Sequence, residues 1–239
     1  TGDLKTYHPT NVINPGYEIL FFWVARMILM SQYLIGEIPF ETVYLHGILR
    51  DAKGQKFSKS QGNGIDPIEI INDYGADALR MSMIEGIGAG ADAKFDIQKV
   101  KAYGKFTNKI WNITRYVLSV ERTGELRSEL VDEFNLLTND ITSDMENFRF
   151  YLAAEKLYAY VWHRLADEII EESKSKTGYG ATLYYILENS LKLLHPFMPF
   201  VTEEIWSMMP GEKEGKSKNL LMVEKWPFDF AQDLRPKNK

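Results

Sequence analysis

Three stretches near the N-terminus, in their order and spacing, restrict the fold of this 239-residue chain most tightly. Thr10-Asn11-Val12-Ile13 is a short β-prone run, followed by the turn chemistry of Asn14-Pro15-Gly16. Residues 17–34 are apolar on nearly every side of a helix, the pattern of a helix covered by a sheet and by neighbours. Gly36 and Pro39 break the chain, and the apolar run 43–49 reads as a second strand. Strand, helix and strand within about 40 residues fit a parallel βαβ crossover. Two strands do not make a stable sheet by themselves, so the region is expected to be the last part of a Rossmann-like domain whose earlier part is missing. The run from Ile19 to Leu34 is interrupted by Arg26 and by Ser31-Gln32. It falls short of the ~20 apolar residues a bilayer span needs, so it is expected to be a buried helix, and no membrane association is expected.

After the second strand comes Lys53-Gly54-Gln55-Lys56-Phe57-Ser58-Lys59-Ser60-Gln61-Gly62-Asn63. Gly54 and Gly62 free the backbone at both ends. Lys56 and Lys59 place two compact positive charges three residues apart, and Ser58 and Ser60 add hydroxyl donors. Such a loop can grip a polyphosphate and stabilise charge that develops on a departing phosphate. The plainer reading is a solvated basic turn. Strand, Lys/Ser loop and helix in succession is a nucleotide-site layout, which favours the first reading. The helix after the loop is well marked: Asp66 as N-cap, Pro67 at its first position, Glu69 completing a capping box and Gly75 as the stop. A further helix is expected from near Ala76 to the glycine-rich stretch 86–90.

From Lys99 onward the pattern is helical, with helices expected over 98–121, 129–146, 149–174, 180–195 and 199–208. In the third, Ala153, Leu157, Tyr160, Val161, Leu165 and Ile169 recur mostly at spacings of three and four, giving one apolar face, as in a bundle. Pro196 and Pro199 end one helix and start the next, with Glu203 and Glu204 expected in its first turn. Residues 211–218 are polar and expected to be mobile, Leu220 to Trp226 could add a short strand, and the charged C-terminal residues are expected to fray. The fold class is thus α/β followed by all-α, divided as 1–96 and 97–239.

Composition narrows the partners. Lys and Arg number 28 against 33 Asp and Glu, for a net charge of −5, so any nucleic-acid contact must rest on local positive charge. One such place is the helix carrying Lys105, Asn108, Lys109, Asn112 and Arg115 beside Trp111 and Tyr116, which mixes phosphate-binding cations with stacking aromatics. The alternative is a solvated face over a core tryptophan. Cysteine is absent, which excludes disulfides and Cys-based zinc sites and permits a cytosolic setting. The four histidines, at 8, 46, 163 and 195, have no metal-ligand spacing, and no protein-bound metal is expected.

Lys56-Phe57-Ser58-Lys59-Ser60 resembles the KMSKS signature of class I aminoacyl-tRNA synthetases, with Phe where Met is usual. Gly16-Tyr17-Glu18-Ile19-Leu20-Phe21-Phe22-Trp23, Gly62-Asn63-Gly64-Ile65-Asp66-Pro67, Tyr74-Gly75-Ala76-Asp77-Ala78-Leu79-Arg80, Asn108-Lys109-Ile110-Trp111-Asn112 and Leu194-His195-Pro196-Phe197-Met198-Pro199-Phe200 resemble the valyl enzymes of that class, in the same order. The resemblance implies activation of valine by ATP, carried with Mg2+, to valyl-adenylate, and acyl transfer to tRNA(Val) in the cytoplasm. It implies Lys56 and Lys59 as holders of the leaving pyrophosphate, with Ser58 and Ser60 beside them. Gly16, Glu18, His46 and Gly47 would contact ATP or the adenylate, and Trp23 would line the amino-acid pocket. A structural histidine and ordinary core packing are the plainer readings of His46 and Trp23. Glu18 stands where Asp is usual, which shifts its reach by a methylene.

The resemblance also implies a His-x-Gly-His-like signature and an editing insertion, and neither occurs. The chain is therefore expected to be a fragment or one half of a split enzyme, inactive alone, with the missing N-terminal catalytic part as a partner. Two competing readings are a non-catalytic tRNA-binding module with a vestigial nucleotide loop and a nucleotidyltransferase of another class.

Overall fold

The structure, a computed structural model, describes residues 2–57, 62–210 and 219–227. The chain forms two compact units: residues 1–65 with 87–96, and residues 66–86 with 97–239. The helical pair after the loop therefore belongs with the bundle, and the chain passes between the units three times.

In the first unit, α1 (Gly2–Tyr7) leads into β1 (Thr10–Ile13). A 3-10 turn (Tyr17–Ile19) and a π-helical turn (Leu20–Val24) run into α2 (Ala25–Ile35), which ends on Gly36 at φ +73°. β2 (Phe40–Val43) pairs with β1 in parallel, with Thr10 opposite Phe40 and Ile13 opposite Val43. Strand, helix and parallel strand thus form as their spacing requires.

Two expectations fail here. The strand expected over 43–49 is divided: β2 ends at Val43, and β3 is only Leu49–Arg50, paired in parallel with β4 (Ala93–Lys94). The backbone between them changes partner. Tyr44 and His46 donate to the carbonyls of Ile13 and Pro15, whereas Leu45 and Ile48 accept from Gly90 and Ala93. The apolar helix is also not buried. Among the described residues of 17–35 only Val24 is buried, while Phe21 is 77% and Tyr33 85% exposed. The helical stretch Tyr17–Ile35 is 19 residues long with a mean hydropathy of 1.4, long and apolar enough to cross a membrane by length and composition. The physical reason is a shortage of covering layers: the described sheets of this unit are two pairs of short strands, whereas parallel sheets ordinarily carry helices on both faces.

The second unit opens with α3 (Pro67–Tyr74), capped by the Asp66 carboxylate, which accepts from the Ile68 N–H at 2.8 Å, and stopped by Gly75 at φ +88°. It continues with α4 (Ala76–Ser82), α5 (Ile97–Ser119), α6 (Ser128–Glu146), α7 (Phe150–Ala159), a π-helical stretch (Tyr160–Ile169), α8 (Ile170–Ser175), α9 (Gly180–Leu194) and α10 (Pro199–Met208). All six residues of the apolar face predicted on the third long helix are buried. The core is made of residues such as Phe106, Phe134, Ile141, Leu183, Leu187 and Phe197.

Where Glu203 and Glu204 were expected to serve the first turn of α10, Asp77 does so instead. Its buried carboxylate accepts from the Phe200 N–H at 3.2 Å and the Val201 N–H at 2.6 Å. Arg80, one turn along α4, donates to the carbonyls of Phe197 and Pro196, beyond the end of α9. Anion at a helix N-terminus and cation past a helix C-terminus is the arrangement helix dipoles favour. Glu203 falls one turn later and accepts from the Leu221 N–H. That contact holds residues 219–227, which form a 3-10 turn (Leu221–Val223) rather than a strand. The expectations for 211–218 and for the residues after Pro227 lie outside the described residues.

Candidate functional site

The candidate nucleotide site is built on the extended backbone of residues 44–50. On one side Gly16 forms a bridge with His46, and the Tyr17 N–H donates to the His46 carbonyl at 3.2 Å. A Cβ at Gly16 would stand 3.4 Å from the His46 ring, an ordinary contact, so the ring lies against the turn without itself requiring glycine there. His46 is exposed, and its Nδ1 lies 2.8 Å from the Gly47 carbonyl. On the other side Gly47 packs against backbone: a Cβ there would lie 1.9 Å from the Ala91 carbonyl oxygen. Close packing of chain on chain thus supplies a need for glycine at 47 without any ligand.

Asp92 ties these segments together. It accepts from the Ile48 N–H at 2.8 Å, from Arg50 Nε at 2.6 Å and from the Tyr17 hydroxyl at 3.3 Å. The Ile48 amide, and then the Arg50 guanidinium, hold its carboxyl below the ordinary carboxylate value. Arg50 also donates to the Gly54 carbonyl, so the anchored segment reaches the first arm of the loop.

Lys56 lies on that arm, bridged in antiparallel fashion to Arg50. Its Nζ donates to both Glu18 oxygens, at 3.0 and 2.9 Å. The structure therefore brings together four residues from the sequence reading in two pairs, Gly16 with His46 and Glu18 with Lys56. Ser58, Lys59 and Ser60 lie outside the described residues. Trp23 is 48% exposed in the π-helical turn, so ordinary core packing does not account for it among the described residues.

On α5, Lys105, Asn108, Asn112 and Arg115 are exposed along one face. Lys101 precedes them at the same helical interval, with its ammonium 5.7 Å from the centre of the Tyr74 ring. Lys109 departs from this face. It pairs with Asp167 at 2.8 Å and lies over the Trp162 ring at 5.2 Å. Tyr116 shares a hydrogen bond with Ser173. Sequence reasoning missed Lys101, Asp92 and the loop-arm residues Asp51 and Asn63. Lys101 could have been found by extending the spacing one turn; the others become visible only through partners distant in the chain.

Residues 1–96 match the family described as tRNA synthetases class I (I, L, M and V), and residues 128–239 match the anticodon-binding domain of tRNA ligases. The chain is similar to valine–tRNA ligase of Petrotoga mobilis, with 41% identity over 99% of this chain and 29% of that protein. The Thermotoga maritima valine–tRNA ligase is 40% identical over 95% of this chain and 27% of that protein. The chain thus spans under a third of the length of these relatives. In fold it is similar to the Agrobacterium radiobacter K84 agnB2 LeuRS, solved as a ternary complex with tRNA and LeuAMS, at a TM-score of 0.73 and 21% identity. That likeness covers 95% of this chain and 29% of that one. Mycobacterium tuberculosis methionyl-tRNA synthetase, solved with methionyl-adenylate, gives a TM-score of 0.70 over 85% of this chain and 45% of that one.

Proposed function

Because the chain belongs to the class I tRNA synthetases, we propose that it serves a valine–tRNA ligase as the end of the catalytic domain, residues 1–96, and the anticodon-side helical domain, residues 97–239. The reaction is attack of the valine carboxylate on the α-phosphorus of ATP, which travels with Mg2+, followed by acyl transfer to tRNA(Val). Lys56 and Lys59 hold the pyrophosphate as its charge grows, with Ser58 and Ser60 adding donors. Gly16, Glu18, His46 and Gly47 face ATP or the adenylate, and Trp23 lines the valine pocket. The exposed cations and amides of α5 take tRNA phosphates. Lys109, occupied by Asp167, serves the fold first. The setting is the cytoplasm. In such a ligase the remainder of the catalytic domain covers the apolar face around Phe21, Phe22 and Tyr33, which are exposed here.

The observation that carries this reading is the Lys56–Glu18 pair beside the Gly16–His46 bridge, which sets a phosphate-binding cation against the strand-end turn. Both side chains are about half exposed, and such pairs contribute only ~0.2–1 kcal/mol. A polyphosphate can therefore draw Lys56 from Glu18 at little cost and leave the carboxylate free for ribose hydroxyls or the valine amine.

The test is a graft. Placed in the Petrotoga mobilis ligase instead of its matching segment, this chain should support valine-dependent exchange of pyrophosphate into ATP. Lys56→Ala or Lys59→Ala should slow that exchange roughly a hundred- to thousandfold, the usual effect of losing one preorganised donor, with little change in valine affinity. Full exchange after loss of both lysines would refute the reading.

A further inference from the structure

The two arms of the Lys/Ser loop are joined at their base. Asp51 stands where the first arm leaves the anchored segment, and Asn63 stands on the returning arm. The Asn63 Nδ2 donates to Asp51 Oδ2 at 3.0 Å and to the Lys56 carbonyl at 3.3 Å. One amide nitrogen therefore reaches both the carboxylate at the foot of the first arm and the backbone of the lysine that carries the charge. The other Asp51 oxygen accepts from the N–H groups of Lys53 and Gln55, at 2.9 and 2.8 Å. The Asp51 N–H donates to the Gln55 carbonyl, and the Gly54 N–H returns to Asp51. The first arm is thus a turn wound around one carboxylate.

We propose that Asp51 and Asn63 are positioning residues: their hydrogen bond ties the arms together and sets where Lys56 is presented. This rests on the proposed role of the loop in holding a polyphosphate. The reason is entropic. Free glycine-flanked arms sample many separations, and holding a lysine in place in advance removes that cost from the reacting complex. Neither residue touches substrate in this scheme; each acts through the backbone that carries Lys56. The Asn63 amide, and next the Gln55 N–H, keep the Asp51 carboxyl below the ordinary range, so the tie persists at neutral pH and weakens only on acidification through that lowered value.

The chemistry predicts a swap. In Asn63→Asp, a carboxylate faces the Asp51 carboxylate and the Lys56 carbonyl, with no donor among them. Adding Asp51→Asn restores a donor between positions 51 and 63, and the amide oxygen at 51 can still accept from Lys53 and Gln55. Trypsin reads the tie in the full chain, because cleavage after Lys56 requires the arm to leave Glu18 and Asn63. The measurement is the ratio of cleavage after Lys56 to cleavage after Arg26, in the same unit. Asn63→Asp should raise that ratio about tenfold, which corresponds to ~1.4 kcal/mol, and the double variant should bring it most of the way back. An unchanged ratio in Asn63→Asp overturns the proposal, as does a raised ratio that the double variant fails to lower. If Asn63→Asp unfolds the unit so that both cuts rise, Asn63→Ala is read by the same ratio, and no rise there also overturns it. ATP with Mg2+ is added in a second arm. Protection after Lys56 that needs about tenfold more ATP in Asn63→Asp, and is recovered by the swap, supports positioning. Equal ATP requirements in parent and Asn63→Asp overturn it. Swap rescue without ATP protection of the parent leaves the tie standing and removes the polyphosphate reading.

Discussion

Replacing Asp77 by alanine should be among the most damaging single changes in the helical unit. The Asp77 carboxylate is buried and accepts two N–H groups from the first turn of α10. Hydrogen bonds to a charged group contribute ~1.5–3 kcal/mol each at most, and loss of a helix cap alone costs ~0.5–2 kcal/mol. Against this stands desolvation, which outweighs the two N–H groups and raises the Asp77 carboxyl above its ordinary 3.8. The balance is a loss of about 2–3 kcal/mol for Asp77→Ala, because two N–H groups of the first turn lose a charged acceptor. Asp77→Asn retains one acceptor without the charge and should lose about 1 kcal/mol. For a chain of this size ~1 kcal/mol shifts the melting temperature by 2–4 °C, so Asp77→Ala should melt roughly 4–12 °C lower by far-UV circular dichroism. The pH dependence has a definite sign. A folded acid with a raised value binds its proton before the unfolded one, so it contributes stability at low pH that is lost as pH rises through the folded value. The parent should therefore gain on Asp77→Asn as pH falls through that value toward 3.8. A loss below 1 kcal/mol in Asp77→Ala, or an equal loss in Asp77→Asn, would refute the reasoning.

Gly47→Ala should disrupt the first unit, since its Cβ would lie 1.9 Å from the Ala91 carbonyl oxygen; amide exchange at Ala93, whose N–H pairs with Ile48, should accelerate sharply while α9 amides stay protected. His195, hydrogen-bonded to Thr202 and facing Glu203, Asp77 and Arg80, is held below its ordinary 6.5 mainly by burial. Its contribution is present above 6.5 and is lost as pH falls through the folded value, so His195→Gln should flatten that part of the stability–pH curve measured by urea unfolding. Lys105→Ala and Arg115→Ala should each weaken tRNA binding and reduce its salt slope by roughly one unit or less, as phosphate contacts do. Lys109→Ala should lower the melting temperature, because it breaks the Asp167 pair and uncovers Trp162; a filter-binding salt titration and a melt separate the two classes.

Much of this protein is written in local rules. Asp66, Pro67 and Gly75 delimit α3 because capping and left-handed geometry are decided within a few residues. The five long helices lie where apolar spacing puts them, with ends displaced by a residue or two, because a 3.6-residue period is a property of the chain itself. The residue types of the Lys/Ser loop likewise suggest its proposed chemistry, with Ser58, Lys59 and Ser60 outside the described residues. Other features depend on partners far away in sequence. Asp77 serves a helix 123 residues later, and Asp92 reaches back to Tyr17, Ile48 and Arg50. Asp167 takes Lys109 out of a stripe to which spacing assigns it. Residues 44–50 divide their backbone bonds between two neighbours, so an apparently single strand becomes two short ones. The apolar run 17–35 shows the limit most plainly. Its composition determined that it would be helical and water-avoiding, but burial requires a covering surface, and only the tertiary structure decides whether one is there.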